Sequence, residues 1–82
     1  MILNIHEKIR VGAVFDGGFP KPVWFGLHGE KVLIKEVCYK WKEREGTDVI
    51  YKFTVTDGFN IFEIMFSSME VCWYLVAMDQ AS

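Results

Sequence analysis

A chain of 82 residues makes one domain, residues 1–82, and at this length folding withdraws only about 60% of the unfolded surface from water. Nine Lys plus Arg against eleven Asp plus Glu give a net charge of −2, so no general field draws polyanions to the molecule. The apolar fraction of 51% excludes disorder, and no apolar run reaches the roughly 20 residues of a membrane helix.

The first ten residues, MILNIHEKIR, lack the basic start and the apolar stretch of a secretory signal, so the expected compartment is cytoplasmic. "KIRVGAVF" then alternates, with Ile9, Val11, Ala13 and Phe15 on one face and Lys8, Arg10 and Gly12 on the other, the pattern of a strand packed on one side. "DGGFPKP" is a turn, because paired glycines permit positive φ and the prolines suit the approach to a strand. In "VWFGL" Val23, Phe25 and Leu27 share a face and Trp24 takes the other. "HGEK" closes a tight hairpin in which His28 is a turn residue.

The third run, "KVLIKEVCYKW", changes phase: Val32 and Ile34 agree, whereas Val37, Tyr39 and Trp41 have the opposite parity. A period of two cannot slip without an extra residue, which predicts a bulge or sharp bend near Lys35-Glu36 and a coiled sheet. After "REGTD", "VIYKFTV" sets Val49, Tyr51, Phe53 and Val55 against Ile50, Lys52, Thr54 and Thr56. Asp57-Gly58 is a strong hairpin signal leading to "FNIFEIMF", with Phe62, Ile64 and Phe66 on one face. "SSME" leads to the last run, "VCWYLVAM", read as a strand on its Val, Trp, Tyr and Cys content; the rival is a helix, since eight consecutive apolar residues have no clear period.

The expected fold is all-β: a six-stranded antiparallel meander forming a strongly coiled sheet or small open barrel. In the last run, Val71, Trp73 and Leu75 point one way and Cys72, Tyr74, Val76 and Met78 the other. The second apolar face needs a cover, and a homodimer interface is the expectation. The competing cover is the N-terminal "MILNI" folded back over that face.

Chemistry-bearing clusters are sparse. His6, His28, Cys38 and Cys72 stand apart without metal-ligand spacing, no phosphate-binding loop is present, and Ser67 and Ser68 have no local catalytic partner. No enzyme activity, cofactor or metal is expected. The two cysteines read as small buried hydrophobes rather than as a disulfide.

In "CYKWKEREG", residues 38–46, Lys40, Lys42 and Arg44 point opposite to Tyr39 and Trp41 if the segment is extended. The expectation is that these aromatics fill the core while the cations are solvated. Trp24 and the "GGFP" turn are the better candidates for an exposed binding surface. The residues singled out for interaction are therefore Trp24, Lys40, Lys42, Arg44, Tyr74, Val76 and Met78. An unidentified protein partner is the first expectation, an accessory nucleic-acid role the second, and an apolar small-ligand pocket the third.

Read together, Pro22, Phe25, Gly29, Val32, Ile34, Val37 and Trp41, followed by Phe53-x-Val55, Gly58, Phe62-Glu63-Ile64 and Trp73-x-Leu75, resemble a small bacterial all-β domain family of unknown function. The similarity spans residues 22–78. It implies a domain that either stands alone or is fused to proteins resembling error-prone DNA polymerases, and it supplies no catalytic residues.

Overall fold

Strand-forming side chains occupy nearly every extended run, and the computed structural model, which describes residues 2–80, is all-β with no helix among them. The elements are β1 (Ile2–Ile9), β2 (Val11–Val14), β3 (Lys21–Leu27), β4 (Glu30–Leu33), β5 (Glu36–Glu45), β6 (Asp48–Thr56), β7 (Asn60–Ser67) and β8 (Cys72–Gln80). They make two antiparallel sheets, β1-β8-β7-β6-β5 and β2-β3-β4, and no closed barrel. The last apolar run is strand, not helix.

Eight strands replace the expected six because two runs divide at corners. "KIRVGAVF" breaks at Arg10: β1 pairs with β8 and β2 with β3. The Arg10 carbonyl accepts from the Gly26 amide at 2.9 Å, which pins this corner to β3. The long third run breaks at Ile34-Lys35, beside the site where its parity changes. There the Ile34 amide donates to Val23 of one sheet (3.1 Å), and the next amide, Lys35, donates to Thr56 of the other (2.8 Å). Two successive amides satisfied by different sheets leave the chain no choice but to turn.

The core lies between the sheets. Phe25 of the small sheet meets Phe62 of the large one edge to face at 5.0 Å, and Phe53, Val55, Ile64 and Leu75 complete the buried centre. Burying such side chains contributes about 1.5–3 kcal/mol each. The turns are as expected in kind: His28 and Gly29 both have positive φ (50° and 83°), as the two-residue hairpin between Leu27 and Glu30 requires. Gly17 and Gly18 turn the chain before β3.

Several face assignments are corrected. β5 carries a bulge between Val37 and Tyr39: Val37 pairs with Val55, Tyr39 with Thr54, and Cys38 is the extra residue. β8 carries another at Val76, since Leu75 pairs with Ile64 and Ala77 with Glu63. This slip returns Met78 to the core side, opposite Phe62, so it does not join Tyr74 on the outer face. Val71 belongs to the turn, with φ of 54°, and is not a strand residue. Ile50 keeps the face opposite Phe53 and is nevertheless buried. The N-terminal run does not cover the outer face but forms edge strand β1; its Met1 lies outside the described residues.

Candidate functional site

Where the two sheets separate, the N-terminal part of β3 is left without β5 as a neighbour. Pro22 contributes to this, because it has no amide hydrogen to give a ladder. The result is a groove of about 800 Å³. Pro20, Pro22 and Val23 line it from the β3 side, Val37, Cys38 and Tyr39 from β5, and Phe19 and the buried Phe53 lie between them. Two cations, Lys21 and Lys40, and one carboxylate, Asp16, also reach the lining. β5 is the terminal strand of its sheet, so among the described residues its far edge has no strand partner.

The loop before β3 folds back over the inner face of the large sheet. Phe15 packs edge-on against Phe66 at 5.4 Å, and Phe19 against Tyr51 at 5.4 Å and Phe53 at 6.3 Å. Lys40 and Lys42 share this face, since they pair with Phe53 and Tyr51, and Arg44 follows opposite Val49. The ammonium of Lys40 lies 5.2 Å from the Phe19 ring centre and that of Lys42 lies 6.0 Å from it, within the range of cation–π attraction. Among the described residues, no carboxylate pairs with Lys40, Lys42 or Arg44.

The expected division of this segment into an aromatic side and a cationic side is present and the cations are exposed as expected, but the aromatics do not fill the core. Tyr39 and Trp41 face away from the core, their rings 5.2 Å apart, and Tyr39 is 64% exposed. The physical reason is Cys38: one unpaired residue flips every later side chain relative to Val37, which does pack on the core. Cys38 itself is exposed, not buried, and Cys72 is half-buried; both are free.

On the outer face, the Trp41 indole donates to Glu43 (3.3 Å), and Lys52 reaches the same carboxylate at 3.1 Å. The hydrogen bond from Lys52, then that from Trp41, holds the Glu43 carboxyl below its ordinary range. Tyr74 stacks on His6 at 4.9 Å and donates to Glu70 at 2.6 Å, which raises the phenol's pKa and lowers that of the carboxyl. Trp24 sits elsewhere, half-buried on the outside of the small sheet opposite Gly12, with the Lys31 ammonium 4.8 Å from its ring centre. A second groove of about 450 Å³, lined by Trp24, Lys8, Arg10 and His28 among others, lies there.

The structure therefore brings Lys40, Lys42 and Arg44 together on one edge and disperses the rest: Trp24 on the small sheet, Tyr74 on the outer face, Val76 at a bulge, Met78 in the core. Sequence reasoning missed Phe19 as the partner of the lysines and Val37 as a wall of the groove. Phe19 and Pro20 of the "GGFP" turn line the groove. Among the described residues, no three His, Cys, Asp or Glu side chains come together to hold a metal, and no helix is long and apolar enough to cross a membrane. Comparison with family models, curated proteins and solved structures finds no match for this chain.

Proposed function

We propose that the protein is a non-enzymatic interaction module that receives a segment of another protein in the groove between β3 and β5. The observation that supports this most is the coincidence of an open, largely apolar groove with the unpaired edge of β5. Apolar clefts with a few polar groups are the usual form of binding sites, and a free strand edge adds main-chain hydrogen bonding to what a partner can use. Selection from a random peptide library against the wild type and against Val23→Glu tests it. Val23 is 40% exposed, so the substitution leaves the core intact while placing a charge in the groove. Peptides enriched on the wild type and lost on the variant are expected, with both proteins melting alike; enrichment of none would remove the reading.

A homodimer is the second reading, favoured by the outer face of the five-stranded sheet, where Tyr39 and Ile61 are exposed and, among the described residues, no further strand lies across them. Sedimentation at micromolar concentration is expected to give the mass of two chains, and Tyr39→Glu to halve it. An accessory nucleic-acid role, which the family resemblance also suggests, draws on Lys40, Lys42 and Arg44. It is the weaker reading because the ammonium groups of Lys40 and Lys42 lie over Phe19 and the molecule as a whole is acidic. An enclosed apolar-ligand pocket fits less well still: the centre between the sheets is filled by Phe25, Phe53, Phe62 and their neighbours, and the groove beside β5 is open.

A further inference from the structure

Resting on the groove reading above, we propose that the partner is an extended, acidic segment of another protein that adds to the free edge of β5 as a further strand. β5 is long, and its inner face, which borders the groove at Lys40, carries a cation at every second position from Lys40 through Lys42 to Arg44. Residues two apart on a strand advance about 6.6–6.8 Å, so the row matches carboxylates at alternate positions of an added strand. Glu43 and Glu45 do not neutralise the row: both point to the other face, and Glu43 is held by Lys52.

The same row identifies what the edge refuses. Two copies of β5 meeting antiparallel about a twofold axis pair residues of like parity, because directly opposed side chains share a face of the sheet. Wherever the row overlaps itself, Lys40, Lys42 and Arg44 face one another across the junction and repel. A second copy of this chain is thus a poor occupant of this edge, and a strand with carboxylates in those places a good one. A nucleic acid satisfies the charges but makes no use of the free backbone ladder.

Labelled protein is titrated with a peptide alternating Glu and Thr, its Gln-for-Glu analogue, an N-methylated version of the acidic peptide, and oligothymidylate, with amide shifts of β5 as readout. The acidic peptide is expected to shift the amides from Lys40 to Arg44 and to bind at least about tenfold more tightly than the Gln analogue. Binding is expected to weaken as salt rises, and N-methylation to abolish it. Lys40→Gln with Lys42→Gln is expected to remove the preference for Glu while circular dichroism and melting remain those of the wild type. Because the Gln analogue changes the ligand alone, the comparison stands even if that variant fails to fold. Equal binding of the Gln analogue overturns the acidic partner and leaves the groove reading in place; tighter binding of oligothymidylate overturns it in favour of nucleic acid; no shift of β5 amides with any peptide overturns this inference, whereas the library selection alone decides the groove.

Discussion

The Asp48 carboxylate ties the β7–β8 turn to the start of β6. It accepts from the Ser67 hydroxyl at 2.7 Å, the Met69 amide at 3.0 Å and the Ser68 hydroxyl at 3.1 Å, while the Ser67 oxygen accepts from the Glu70 amide at 3.1 Å. Ser67 is only 2% exposed, so its hydroxyl needs these partners. Val71 completes the turn in the left-handed region, where a β-branched side chain is strained, and 71% of its surface is exposed, so little packing is lost if it is replaced. Val71→Asn is expected to stabilise the protein by about 1 kcal/mol and to raise its melting temperature by about 4–8 °C. An unchanged urea midpoint would count against strain at this position.

The same carboxylates set the pH response. Hydrogen bonds from Ser67 to Asp48, from Lys52 to Glu43 and from Tyr74 to Glu70 lower all three pKa values in the folded state. On acidification the unfolded chain therefore takes up protons first. Stability from these groups is full above about pH 5 and is lost as pH falls through their folded pKa values. Tyr74 has the opposite sign: its hydrogen bond to Glu70 raises its pKa, so its contribution is full below about pH 10 and is lost as pH rises further. Denaturant midpoints measured across pH are expected to fall at both ends, and Ser67→Ala to flatten the acid limb.

Among the elements, the β2–β3 pair depends on the absence of a side chain. Trp24 lies across from Gly12, and a Cβ at that position would fall on the indole nitrogen. Gly12→Val is expected to cost about 1–3 kcal/mol, read by urea unfolding. The cost should shrink when Trp24→Ala is added, the mark of a direct pairwise clash. β5 shows the reverse dependence, on one residue too many: without Cys38, Val37 and Tyr39 would follow the ladder in step. Alternation alone placed Val37, Tyr39 and Trp41 together, and only the pairing with β6 separates them. The change of phase after Ile34 was legible, because a parity break within one run needs no partner strand to be seen. The bulges at Cys38 and Val76 were not: Cys38 fits the alternation of its run without a break, and Val76 lies in an unbroken apolar run that has no period to interrupt.

At the scale of the molecule, the two sheets share one small core, and its loss is expected to be cooperative. Leu75, fully buried, contacts the centre from β8. Leu75→Ala is expected to cost about 2–5 kcal/mol, much of the total for a domain of this size, and to leave a large unfolded fraction at physiological temperature. A melting curve close to the wild type's would mean that the core can collapse around the missing side chain. The corners at Arg10 and at Ile34-Lys35 let two runs serve both sheets.

Local chemistry was enough to establish the all-β class, the Gly-containing turns and the buried row of Phe53, Val55, Phe62, Ile64 and Leu75, because side-chain alternation and positive φ are properties of a few adjacent residues. The division into two sheets, the inward turn of Met78, the outward turn of Tyr39 and Trp41, and the meeting of Phe19 with Lys40 and Lys42 arose only when distant strands competed for the same backbone hydrogen bonds. A bulge is settled by that competition: its energy resides in the ladder between strands, and no single strand carries a record of it.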